Sequence, residues 1–226
     1  DKNGNLWIAT ANGLNKFNLK TETCIRYFSN PEDPVYLRNN PVTSFETDKQ
    51  NHLWIGTREG LYVLNTVSGT VTSYSHEKGH TQRLSNNTVH ALLMDSEGTL
   101  WIGTENGINE YIASTDSFIH HMPKPEDRYG LSQGSVRSIC EDAGGILWFG
   151  TFSAGVNKCD VSTRQFEHYK NDRSNPQSLS GNQIYTIFED SKNNIWIGTL
   201  HNGLNQMKAG SRDFIHYQHQ PENPNS

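Results

Sequence analysis

The groups able to carry chemistry in this chain are its acids and histidines, and their spacing disfavours most catalysis. Glu141 and Glu189 each stand one residue before an aspartate, and Glu46 stands two residues before another. A glycoside hydrolase needs two carboxylates about 5 to 9.5 Å apart, whereas acids that recur at one place in successive copies read as strand-end residues. Ten histidines are present, including the adjacent pair His120-His121 and the pair His216 and His219. None stands in an HExxH arrangement. His76 and His80 would face one metal only on a helix, which their Ser- and Gly-containing segment disfavours. Cys24, Cys140 and Cys159 follow no metal-ligand spacing. The latter two fill places that other copies give mostly to apolar residues, as small hydrophobes do. With no GxSxG and no phosphate-binding loop, neither a cofactor nor a metal is expected.

The elements that would position any site come from a repeat. Trp7, Trp54, Trp101, Trp148 and Trp196 recur at steps of 47 or 48 residues, a period that marks a repeat architecture. Each sits in a phrase such as Asp95-Ser-Glu-Gly-Thr-Leu-Trp-Ile-Gly-Thr. Leu37, Leu84, Leu131 and Leu179 each precede a later Trp by 17 residues. One unit then reads as four short strands, over 136–142, 147–151, 155–159 and 165–169, with turn residues between them. Asp1, Asp48, Asp95, Asp142 and Asp190, six residues before each Trp, open tight hairpins. Gly13, Gly60, Gly107, Gly155 and Gly203 follow the second strand, and Pro34, Pro176 and Pro224 mark the long connection.

The second strand, for example Leu53-Trp54-Ile55-Gly56-Thr57, is apolar on both faces, so each sheet must be covered on both sides. This predicts an all-β chain, a β-propeller of four-stranded antiparallel blades. Its repeats run 1–36 (partial), 37–83, 84–130, 131–178 and 179–226, giving nineteen strands in about five blades. The first blade would lack its inner strand, as in a piece of a larger propeller, and an exposed edge offers a route to a homodimer. The net charge of −5 without a basic run argues against nucleic acid, and no apolar run reaches the roughly 20 residues of a membrane helix.

Residues kept in every copy hold the blade, so ligand recognition must lie where the occupant varies. One such slot follows the first Val or Ile of the inner strand: Thr43, His90, Arg137 and Tyr185. The other is the loop between strands two and three. It reads Ala11-Asn12, Arg58-Glu59 and Glu105-Asn106, then lengthens to Phe152-Ser153-Ala154 and Leu200-His201-Asn202. The candidate ligand-binding residues are thus Thr43, His90, Arg137, Tyr185, Arg58, Phe152, Leu200 and His201. Tyr and Arg offer planar faces with hydrogen-bonding edges.

The phrases Leu-Ser-x-Asn-x-Val, Asp-x-x-Gly-x-Leu-Trp-Ile-Gly-Thr and Gly-Leu-Asn resemble the two-component regulator propeller repeat of periplasmic sensor regions in bacterial hybrid histidine kinases. The resemblance implies seven-bladed propellers, often in series, then a β-sandwich, a membrane helix and a cytoplasmic kinase. It also implies a sensor that binds an oligosaccharide or another small molecule, performs no chemistry and signals through the remainder of its chain. Two rivals stand beside it. Propeller lyases such as the streptogramin B lyases use a histidine near the channel mouth, for which His90 or His201 would serve. A structural interaction module would bind no small molecule.

Overall fold

The structure, a computed structural model, describes residues 4–10, 13–27, 41–80, 82–124, 126–132, 134–219 and 222. Leu37, Pro34, Pro224, Asp1 and the Ala11-Asn12 loop lie outside them. The first sheet joins β1 (Asn5–Thr10), β2 (Gly13–Asn18) and β3 (Thr23–Tyr27). The second joins β4 (Val42–Thr47), β5 (His52–Thr57), β6 (Gly60–Asn65) and β7 (Val71–Tyr74). The third holds β8 (Val89–Met94), β9 (Leu100–Thr104), β10 (Gly107–Ile112) and β11 (Ser117–His121). The fourth holds β12 (Val136–Glu141), β13 (Leu147–Thr151), β14 (Val156–Asp160) and β15 (Gln165–Tyr169). The last holds β16 (Ile184–Glu189), β17 (Ile195–Thr199), β18 (Leu204–Met207) and β19 (Phe214–Tyr217). Within each sheet the strands pair in sequence order and antiparallel, which is the blade order of a β-propeller. Three strand limits differ from expectation, one being the end of β14, which extends to Asp160 through its pairing with Gln165. β12 ends at Glu141 because Asp142 already belongs to the turn, and β14 begins at Val156 because the longer loop leaves Gly155 outside the ladder, which ends at the pair Gly150–Val156.

The cores lie between blades. Trp54, Leu61 and Tyr74 of the second blade close on Leu92, Ile102 and Phe118 of the third. Trp101 and Ile108 of the third close likewise on Val136, Phe149 and Phe166 of the fourth. A strand sandwiched this way buries both faces, which is why the Trp strand carries no polar side. The glycine of the Trp-Ile-Gly-Thr phrase is the point of closest approach. A Cβ on Gly56, Gly103 or Gly150 would come within 2.7, 2.9 or 2.6 Å of Val89, Val136 or Ile184 on the next blade. Side chains do not tolerate such distances, so glycine sets the blade spacing.

In the second to fifth blades, the turn leading into the Trp strand is fixed by one carboxylate. Asp142 accepts the Ile146 amide through Oδ1 and the Trp148 indole N–H through Oδ2, at 3.0 and 2.8 Å. Neighbouring turns are latched together by the strand-end acids: Glu141 accepts the Ser96 amide and hydroxyl at 2.7 and 2.6 Å, and Glu189 accepts the Ala143 amide at 2.8 Å. These glutamates hold blades together, as strand-end residues would.

The long connection runs along the outer strand of the blade that follows it. The amides of Phe118, Phe166 and Phe214 donate to the carbonyls of Gln82, Tyr129 and Gln177 at 3.2, 2.9 and 2.8 Å. His120, His168 and His216 add ring contacts to the carbonyls of Arg83, Gly130 and Ser178 at 2.5, 2.8 and 2.6 Å. A carbonyl only accepts, so Nε2 donates in each. The connection is then pinned by a buried asparagine: the amides of Ser85, Ser132 and Ser180 donate to Oδ1 of Asn109, Asn157 and Asn205 at 2.8, 2.9 and 2.8 Å. The outer strands of the third, fourth and fifth blades are thereby covered.

Candidate functional site

Thr43, His90, Arg137 and Tyr185 share one backbone irregularity. The register of the inner strand against the second strand slips between Val42 and Ser44, Val89 and Ala91, Val136 and Ser138, and Ile184 and Thr186. The residue inside each slip is the candidate. A β-bulge leaves its extra residue outside the ladder and re-aims the side chain. These four side chains are therefore turned out of the sheet at the end where the loops between strands two and three also emerge.

Thr43 uses its hydroxyl within the fold, donating 2.8 Å to the Val89 carbonyl on the next blade. The next two bulge residues meet directly. Nη1 of Arg137 lies 3.2 Å from Nδ1 of His90, and Nε2 of His90 lies 2.7 Å from Oε2 of Glu105. The same carboxylate oxygen accepts Nη2 of Arg137 at 3.3 Å. A guanidinium only donates, so Nδ1 must accept and the imidazole proton sits on Nε2, pointing at Glu105. His90 is thus held neutral, in one tautomer. Its side chain is only 9% exposed, and burial lowers its pKa below the ordinary histidine value. The Glu105 hydrogen bond opposes that shift, and the charges of Arg137 and Arg58 reinforce it.

Arg137 is oriented further by Nε, which donates 3.0 Å to Ser135 Oγ. Its guanidinium carbon lies 4.9 Å from the Phe152 ring centroid, within cation–π range. The Phe152 amide donates 2.9 Å to the Ser135 carbonyl, so one serine positions both partners. A concave space of about 440 Å³ opens here, lined by Glu105, Asn106, Met122, Pro123, Ser135 and Phe152.

Of the eight candidates, His90, Arg137 and Phe152 come together, and the Arg58 charge acts on His90. Tyr185 is 59% exposed, and Leu200 and His201 are exposed on the loop of the same last blade. No hydrogen bond, ion pair or ring contact joins these three to the cluster. Glu105 and Ser135 were not among the candidates. Glu105 stands in the variable loop, and an acid there beside His90 and Arg137 was the signal that could have marked it. Among the described residues, no three His, Cys, Asp or Glu side chains are grouped as a metal would require, and no helix is long and apolar enough to cross a membrane.

Four segments, 36–59, 83–106, 130–153 and 178–201, match the two-component regulator propeller. No curated protein gave a match. One solved structure is an extracellular domain assigned to a hybrid two-component system of B. thetaiotaomicron, 29% identical with TM-score 0.72, over 87% of this chain and 25% of that one. A second such domain from the same organism is 25% identical with TM-score 0.77, over 95% of this chain and 28% of that one. The chain spans about a quarter of the length of these domains. A streptogramin B lyase shares the fold alone, at 14% identity and TM-score 0.70 over 100% of this chain and 68% of that one. The blades and their spacing make this chain a β-propeller, and four of its segments match the two-component regulator propeller.

Proposed function

We propose that the chain is part of the periplasmic sensor region of a hybrid two-component histidine kinase, and that it binds an oligosaccharide without transforming it. The observation that carries this reading is the convergence of His90 and Glu105 from one blade with Arg137 and Phe152 from the next. With His90 holding them in place, the half-exposed Glu105 carboxylate and the Arg137 guanidinium beside the Phe152 ring suit the hydroxyls and apolar faces of sugars. Because the cluster joins two blades, an occupant would contact both. A signal to the remainder of the sensor chain requires different affinity for two arrangements of that chain; tight binding alone shifts nothing.

The fold shared with a streptogramin B lyase favours one second reading, a lyase with a histidine base. His90 fits that role poorly, since both of its ring nitrogens are already engaged; the exposed His201 would be the base. Thermal melting against a panel of oligosaccharides, with product analysis of each hit, separates the readings. A bound sugar at 100 times its dissociation constant adds about 2.7 kcal/mol. A shift without product, weakened in Arg137→Ala, supports the sensor. Product that vanishes in His201→Ala means the lyase, and the absence of any shift overturns both.

A further inference from the structure

The connection that covers each outer strand presents one residue at a fixed place, where its carbonyl takes a phenylalanine amide: Gln82, Tyr129 and Gln177. Of the three, Tyr129 alone is aromatic, and it is 50% exposed. The Arg128 guanidinium lies over its ring, 5.5 Å from the centroid. Beside Tyr129 opens a groove of about 610 Å³, bordered by Lys158 and Glu167 of the fourth blade and Arg212 of the fifth. The groove follows β14 and β15, the outer strands, and shares no residue with the His90–Arg137 cluster.

Its acids are occupied. Glu167 pairs with Arg212, lies 3.9 Å from Lys158 Nζ and accepts the Tyr169 hydroxyl at 3.3 Å. Asp160 accepts the amide and hydroxyl of Ser162 at 2.9 and 2.6 Å. Arg128 pairs with no acid among the described residues; its partner is the Tyr129 ring. The groove therefore offers a half-exposed aromatic face, hydrogen-bonding edges and one cation without a counter-charge.

We propose that this groove is a second binding site, independent of the loop-end cluster, for a saccharide bearing a uronic acid. The Tyr129 ring takes the apolar face of a sugar ring. Arg128 takes the carboxylate, which the planar fork of a guanidinium fits with two parallel hydrogen bonds. Calorimetric titration with tetragalacturonate, and with the uncharged galactotetraose, tests it. Tetragalacturonate should bind, and galactotetraose about tenfold more weakly or less well still. Tyr129→Gln installs the residue found at the other two places and keeps the backbone carbonyl that holds the blade edge. Tyr129→Gln and Arg128→Ala should each weaken tetragalacturonate binding about tenfold, with unchanged melting temperatures, while Arg137→Ala leaves it unaltered. No tetragalacturonate binding, equal affinity for galactotetraose, or a loss confined to Arg137→Ala would overturn the proposal. Failure of neutral sugars to bind at His90 and Arg137 would leave it standing.

Discussion

The indole N–H of Trp101 donates 2.8 Å to Oδ2 of Asp95, while Oδ1 of the same carboxylate accepts the Thr99 amide at 2.7 Å. The aspartate of the turn is therefore also the partner of the buried tryptophan. Asp48, Asp142 and Asp190 do the same for Trp54, Trp148 and Trp196. Asp95→Ala should cost about 1–3 kcal/mol by leaving a buried donor unmet, and Trp101→Ala about 3–5 kcal/mol by emptying the space between blades. Urea unfolding midpoints measure both. A neutral Asp95→Ala would reduce the shared carboxylate to a coincidence of geometry.

Acidification should loosen the loop-end cluster. The folded-state pKa of His90 is lowered, so below the ordinary value of about 6.5 the unfolded chain takes a proton that the folded chain withholds. Stability then rises with pH across that window and is lost as pH falls through it. A protonated Nδ1 would also confront the Arg137 N–H it now accepts. Melting temperature recorded through this range should drop, and His90→Asn should flatten the slope. An unchanged slope in that variant assigns the drop to other groups.

Gly103→Ala should overpack the joint between the third and fourth blades. Its Cβ would meet both Cγ1 and the carbonyl oxygen of Val136 at 2.9 Å, a strain of about 1–3 kcal/mol. Adding Val136→Ala should recover only part of the loss, because the carbonyl remains. The coupling in a double-mutant cycle reports how much of the clash is with the side chain.

Asn109→Ala should release the connection before the third blade. Asn109 is fully buried, takes the Ser85 amide at 2.8 Å and donates to Ser85 Oγ at 2.9 Å. About 1–3 kcal/mol should be lost. Hydrogen exchange at the Ser85 amide should speed up more than at Ile102 in the neighbouring strand; equal change at both would mean general destabilisation instead.

Much of this architecture was legible because repetition makes a local preference audible five times over. The Trp steps, the turn aspartates and the apolar Trp strand pointed to blades, and the sheets follow that order. The bulges were not read, though a trace of them is visible. Val136 and Ile139, or Ile184 and Ile187, are three apart, a step that a strand of period two cannot keep on one face. The histidines His120, His168 and His216 also recur at steps of 48, which marks them as clamps on the connection. The site was less legible for a physical reason. Which loop residue meets which bulge depends on the offset between blades, and no local pattern encodes it. Glu105 of the variable loop thus joins the cluster without standing out in its copy, while Leu200 and His201, from the equivalent loop, stand apart from it.

The seating of Val89, Val136 and Ile184 against the glycines of the preceding blades has a mechanical consequence. Each contact works like a tooth in a notch: sliding one blade along its neighbour would drive a branched side chain into backbone. The array therefore resists internal shear and transmits displacement as a stiff unit. Any movement set off at the loop end should displace the blades together, and not appear as slippage between them.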